Sequence, residues 1–472
     1  MASPRPRTGW TLALVSAVLF MVTLDNLVVT TALPRLRVDL GASLGGLEWV
    51  VNAYTLTFAV LLMTGAALGD RFGRRRMLTI GLVVFTAGSA AAALSPNATA
   101  LIVARAVQGA GGAMVLPLTL TLLSEAFPAG RRGVALGVWS GISGLGVALG
   151  PVIGGAVVSG LSWHWIFWLN VPIGIVVAPL ALARLTESHG PNRSLDLPGL
   201  TLASGGLFGV VYAVVRANTL GWTSPTILAA ASAGTVVLAA FAAWELRAPA
   251  PMLPMRFFRS RAFSATNLVS LIMYLGMFGA IFLLVQYFQT VQGYSPLQAG
   301  LRTLPWTAMP IFVAPLAGLF SDRIGTRPLM FAGLALQAVA LGWLASELSP
   351  TLAYGSVILP FVLAGAGMAL VFAPAANAVL ASVRDEEAGQ ASGATNAIRE
   401  VGGVLGIAVL AAVFNGAGSY ASPHAFVAGL MPAVTVAAIV VAVGALTALA
   451  IPSARRLRAA PSPRVEAMAD AA

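Results

Sequence analysis

Cysteine and lysine are both missing from this chain, and charge of either sign is scarce. Without cysteine there is no disulfide framework, no thiol nucleophile and no thiolate metal site. The three histidines, His164, His189 and His424, lie too far apart in sequence to suggest a metal cluster. Charged residues make up 9% of the chain, against about 25% in an ordinary soluble protein. That deficit argues against a soluble multidomain enzyme. No Gly-x-x-x-x-Gly-Lys loop occurs, so nothing points to nucleotide-driven work.

What the chain has instead is apolar length: 58% of its 472 residues are hydrophobic. Runs able to cross a hydrocarbon core of about 30 Å fall near 10–32, 46–68, 77–95, 100–123, 134–158 and 163–183. Two more lie near 197–215 and 225–246, and six follow near 264–289, 299–320, 328–346, 354–381, 391–415 and 425–451. The expected fold class is an all-α integral membrane protein with fourteen transmembrane helices. Arg5 and Arg7 before the first run imitate a signal peptide, but no small-residue cleavage site follows, so the run reads as a retained span.

The net charge of +11 is a topology signal. With the N-terminus in the cytoplasm, 21 of the 27 arginines fall on the inner side, which places both termini there. The expected location is the cytoplasmic (inner) membrane. A nucleic-acid partner is not implied.

Gly69-Asp70-Arg71-Phe72-Gly73-Arg74-Arg75-Arg76 returns in altered form as Ser321-Asp322-Arg323-Ile324-Gly325-Thr326-Arg327. From Asp70 to Asp322 is 252 residues. Gly109 and Gly111 recur as Gly365 and Gly367, and Gly146 and Gly150 as Gly402 and Gly406, at an offset of 256. A repeat at this distance implies two six-helix halves with two helices inserted between them. The expected units are a bundle over 1–190, an inserted pair over 191–247 and a Pro-rich cytoplasmic linker over 248–262. A second bundle over 263–452 and a disordered cytoplasmic tail over 453–472 complete the chain.

Charged groups inside spans cost at least about 2.5–3.5 kcal/mol on insertion scales and are functional candidates by default. Asp25 lies about 15 residues into the first run, roughly 22 Å along a helix, and Arg105 enters the fourth run from the same outer side. Desolvation makes a carboxylate easier to protonate and a nearby guanidinium opposes it, so the pair suits proton loading and release. A static ion pair pinning two helices is the alternative. Arg399 and Glu400 lie near the middle of a later run, Glu400 as a second protonation site or a member of a buried network. Tyr274, Phe278, Phe282 and Gln286 recur at helical spacing and offer a cavity wall for flat molecules, or plain packing. Asn26, Asn52, Gln108, Asn377, Asn396 and Arg399 are further cavity candidates.

Gly146, Gly150, Pro151, Gly154 and Gly155 make one helix smooth and bendable, either a seam between the halves or ordinary close packing. Asp70, Arg71, Gly73, Arg74 and Arg75, with Asp322 and Arg323, form the doubled loop. Asp70 is expected to cap the next helix or to hold an arginine or helix end across the two halves, as a latch released on switching.

Together these residues resemble the major facilitator superfamily, in its fourteen-span drug:proton antiporter branch. The family's loop pattern Gly-x-Leu-x-Asp-Arg-x-Gly-Arg-Arg is met by Leu68, Asp70, Arg71, Gly73, Arg74 and Arg75, with Ala66 at the first glycine. Arg105, Gln108, Gly109, Gly111 and Ala113 meet the fourth-helix pattern, and Gly146, Gly150, Pro151, Gly154 and Gly155 the antiporter pattern. Leu24, Asp25, Val28, Val29, Ala32, Leu33 and Pro34 match the first-helix pattern. The resemblance implies the major facilitator fold and efflux of amphipathic, often cationic, drugs or antibiotics in exchange for protons. It places Asp25 and Arg105 on the proton route and Glu400 as a second carboxylate; no metal and no cofactor are expected, and the internal repeat makes a working monomer possible. Export of an endogenous metabolite or lipid is the alternative; a channel or membrane-embedded binding protein fits the duplicated halves less well.

Overall fold

The computed structural model describes residues 8–189, 196–384 and 387–452, with the side chains of 218–219, 322, 388–389 and several residues between 129 and 147 outside that description. The tail expected over 453–472 and the start of the inserted segment, 191–195, therefore lie outside the described residues.

The first bundle comprises α1 (Thr8–Asp39), α2 (Leu44–Phe72), α3 (Arg74–Ala93), α4 (Ala98–Ala126), α5 (Ala129–Gly160), α6 (His164–Trp168) and α7 (Asn170–Arg184). The inserted pair is α8 (Leu197–Leu220) and α9 (Pro225–Glu245), followed by a 3-10 turn at Met255–Arg259. The second bundle runs through α10 (Arg261–Thr290), α11 (Pro296–Thr307), α12 (Met309–Ile324), α13 (Thr326–Glu347), α14 (Tyr354–Leu380), α15 (Ala388–Ala417) and α16 (Pro423–Ala448). Among the described residues, thirteen helical stretches are long and apolar enough to cross a membrane, and Gly144–Gly160 of α5 adds a shorter one.

Two expected single spans are broken. The run near 163–183 divides into α6 and α7 at Leu169, three residues before Pro172, whose ring and missing N–H disfavour an unbroken ladder. The run near 299–320 divides at Ala308, two residues ahead of Pro310, which sits in the first turn of α12 where proline is tolerated.

Local chemistry sets the other boundaries. Ser43 and Asn97 accept from the backbone N–H groups of Gly46 and Ala100 to start α2 and α4, and Ser295 with Gln298 forms a reciprocal cap on α11. Gly73 and Gly325 close α2 and α12 with φ of +104° and +89°, a region that side chains resist. This backbone need explains the glycine in both Asp-Arg-x-Gly loops.

The halves repeat their packing. Gly109 in α4 sits against the Tyr54 carbonyl of α2, and Gly365 in α14 sits against the Trp306 carbonyl of α11. Gly146 and Gly150 seat α5 on Thr23 and Leu27 of α1, as Gly402 and Gly406 seat α15 on Leu271 and Leu275 of α10. The architecture is thus two pseudo-symmetric six-helix bundles plus two inserted helices. Within the inserted pair, α9 is the least buried span, facing outward with Leu228 and Val236. Its partner α8 places Val211 and Val215 against Leu56 and Val60 of α2 and Val404 and Ala408 of α15, so it covers a joint between the halves.

Candidate functional site: a buried ion pair and its polar cage

Asp25 and Arg105 are wholly buried and paired, with Arg105 Nη1 2.6 Å from Asp25 Oδ2. Such a pair persists only if its remaining hydrogen-bonding capacity is met. Gln108 Nε2 and Asn170 Nδ2 donate to Asp25 Oδ1 at 2.8 and 2.7 Å. The same two amides donate to Ser89 Oγ at 3.2 and 3.0 Å, and that hydroxyl donates to the Phe167 carbonyl at 2.9 Å. Arg105 donates through Nη1 to Gln108 Oε1 at 2.7 Å and through Nε to the Val50 carbonyl at 3.3 Å. Its guanidinium carbon lies 4.2 Å from the centre of the Tyr54 ring, a cation–π contact in a desolvated setting. Arg105 Nη2 and the Tyr54 hydroxyl have no partner among the described residues.

Five elements therefore meet at one carboxylate: α1 supplies Asp25, α2 Tyr54, α3 Ser89, α4 Arg105 and Gln108, and α7 Asn170. Sequence reasoning named Asp25, Arg105 and Gln108 but missed Ser89 and Asn170 as their partners. Asn170 had a visible signal, a carboxamide at the break between α6 and α7 in an otherwise apolar run. Ser89 had none, because serine is ordinary in membrane helices.

Glu400 and Arg399 stand apart from this cage, on α15 of the other half. Arg399 lies 6.0 and 5.8 Å from the Tyr274 and Phe372 rings, and its Nε and Nη2 have no partner among the described residues; nor has Glu400 Oε2. Both residues are half-buried, as are Asn26 and Asn396. Of the aromatic stripe, Tyr274 stacks on Phe278 at 5.4 Å, whereas Phe282 and Gln286 are deeply buried. Gln286 Oε1 accepts from Tyr420. Asn52 is buried with its amide unpartnered, and Asn377 is exposed, donating to Ser321 Oγ at 3.4 Å.

The first copy of the doubled loop is tied within its own half. Arg74 Nη2 pairs with Asp70 at 2.7 Å and Arg74 Nη1 with Glu125 of α4. Glu187, beyond α7, accepts from the Arg75 backbone N–H at 2.9 Å, setting an anion at the α3 N-terminus. Asp70 thus holds an arginine rather than capping α3, whose N-cap Gly73 has no side-chain bond. Arg71 lies over the Phe72 ring at 5.1 Å, Arg323 is exposed, and the Asp322 side chain lies outside the described residues.

The glycine-rich face of α5 divides its work. Gly146, Gly150 and Gly154 meet α1 in the same half. Gly155 meets the Pro296 carbonyl and Leu297 of α11, and Gly300 of α11 meets the Pro151 carbonyl, so these three form the seam to the other half. Among the described residues no group of three or more His, Asp or Glu is placed to hold a metal.

A twofold-repeated helical bundle with an ion pair sealed inside its first half is the architecture of a carrier, and the chain belongs to the Major Facilitator Superfamily, whose family model matches residues 15–407. Among curated relatives it is 36% identical over 408 residues, 86% of this chain and 76% of the relative, to a tetracenomycin C resistance and export protein of Streptomyces glaucescens. It is 38% identical over 414 residues, covering 86% of this chain and 84% of the relative, to the cephamycin export protein CmcT of Amycolatopsis lactamdurans. A bacterial homologue of the human lysosomal transporter Spinster, solved in an inward-facing and occupied conformation, shares the fold at a TM-score of 0.69 with 15% identity, covering 98% of this chain and all of that one (100%).

Proposed function

We propose that this chain exports amphipathic, drug- or antibiotic-like small molecules across the cytoplasmic membrane in exchange for protons. It works by alternating access as a monomer, without cofactor, and both termini face the cytoplasm. The observation that carries this reading is the Asp25–Arg105 pair, sealed from water inside the bundle and caged by Gln108, Asn170 and Ser89. A buried carboxylate on α1 whose partners come from α4 and α7 changes its environment when those elements move, and so couples protonation to shape. The names of the relatives, an export protein for tetracenomycin C and another for cephamycin, support export of antibiotic-type substrates. A second reading within the same mechanism is export of an endogenous metabolite or lipid.

Asp25→Asn should abolish proton-driven transport of a fluorescent dye in proteoliposomes with an imposed pH gradient, while leaving yield and helicity near those of the parent. Undiminished gradient-dependent dye movement by the variant would remove Asp25 from the mechanism. Drug resistance conferred in an efflux-deficient host should vanish with a protonophore; persistence would rule out antiport.

A further inference from the structure

A third buried carboxylate lies outside everything described so far. Glu48 is one turn into α2, at the end of the bundle opposite the termini. Its side chain is wholly buried, and neither oxygen has a hydrogen-bond partner among the described residues. One turn further, Asn52 is equally buried and its amide is equally unpartnered. An ionised carboxyl without water or any donor is the costly form of this group, and the neutral acid is the form such a site accommodates.

Glu48 sits where the two halves are closed on each other. Gln289 Nε2 of α10 donates to the Thr31 carbonyl of α1 at 3.0 Å, and the Leu297 N–H of α11 donates to Ser159 Oγ of α5 at 3.1 Å. Arg37 of α1 lies 3.6 Å above the ring of Tyr420, in the connection between α15 and α16. The Tyr420 hydroxyl donates to Gln286 Oε1 at 2.5 Å. The residues flanking Glu48 on α2, Leu44, Leu47 and Val51, share one buried apolar core with Phe282 of α10 and Phe414 of α15, so Glu48 lies at this joint. The charged and titratable groups of the elements around Glu48 are Arg35, Arg37 and Asp39 at the end of α1, Arg105 of α4, which bonds the Val50 carbonyl, Arg216 of α8, Arg399 and Glu400 of α15, and Tyr420 opposite.

We propose that Glu48 is a proton-binding residue of this gate: closing the gate buries it as the neutral acid, and opening the gate returns it to water. The step is balanced, since the carboxylate takes one proton from external hydronium as the halves close and gives it back as they part. External acid therefore favours the closed gate. The proposal rests on the orientation and alternating access of the preceding section, and it adds a pH-dependent conformational step distinct from transport coupling at Asp25.

The absence of cysteine makes the test direct. Thr31→Cys places a single thiol behind the seam, and its alkylation by a membrane-impermeant maleimide reports gate opening. Rates are normalised at each pH to those of the denatured chain. Lowering external pH from 8 to 5.5 should slow labelling at least threefold in Thr31→Cys. Adding Glu48→Gln should remove that response and hold the rate at the acid value, whereas Glu48→Asp should keep it. Adding Asp25→Asn, which tests the antiport reading, should leave the response in place. A Glu48→Gln variant that keeps the parent's response, or a parent with no response, overturns the proposal. If Asp25→Asn alone removes the response while Glu48→Gln keeps it, Glu48 is excluded and the antiport reading stands.

Discussion

The two halves share one packing scheme and fill it with opposite chemistry. Aligned through their glycines, Arg105 over Tyr54 in the first half corresponds to Phe361 beside Trp306 in the second, with ring centres 5.6 Å apart. In the same register Asp25 corresponds to Met273 and Gln108 to Ala364, both apolar and buried. The scaffold therefore does not require a charge at these positions, because the second half closes the same space with aromatic and aliphatic groups. The ion pair is an addition to a fold that stands without it.

Equivalent substitutions should break this comparison unequally. Arg105→Leu leaves Asp25 buried and unpaired, which should destabilise the protein by about 3–5 kcal/mol and remove coupled transport. Phe361→Leu should cost only about 1 kcal/mol as a change among apolar side chains. Thermal unfolding in detergent separates the two, and an Arg105→Leu protein as stable as Phe361→Leu would refute the asymmetry. Adding Asp25→Asn to Arg105→Leu should recover part of the loss, because no lone charge then remains.

Glycine positions should behave alike in both halves. Gly109→Val and Gly365→Val each drive a side chain onto a backbone carbonyl, of Tyr54 and Trp306 respectively. Each should cost at least about 1–3 kcal/mol by overpacking, and clearly different melting temperatures for the two variants would weaken the claimed equivalence.

The smallest effect concerns the linker. Glu387 pairs with Arg384 at 2.7 Å and with Arg256 of the 3-10 turn. Burial raises its carboxyl value, but the two arginines outweigh that and hold it below the usual carboxylate range. Because the folded value is the lower one, this contribution is present above the ordinary glutamate range near about 4.3. It is lost as pH falls through the folded value. A melting temperature followed from pH 6 to pH 3 should fall by a degree or two less in Glu387→Gln than in the parent.

Most of the fold was legible because hydropathy and arginine placement are long-range, redundant signals; a misplaced span boundary changes little. Asp25 and Arg105 were legible because charge in an apolar run is rare. Their cage was not, since Ser89 and Asn170 become partners only when α3 and α7 are folded against α1. Glu48 was missed for a different reason. A carboxylate at the start of a span normally reaches the headgroup water, and only the closure of α2 against the opposite half buries it. The division of the α5 glycines between α1 and α11 was equally invisible, because spacing tells which face is smooth but not what lies upon it.

The placement of α8 bears on speed. It grips α2 through Leu56 and Val60 and α15 through Val404 and Ala408, one from each half. A body that touches both arms of a hinge cannot follow both when they swing, so the proposed rocking of the halves would drag one of its faces across apolar side chains. The inserted pair would then act as a damper, setting how fast the halves exchange rather than which state they prefer.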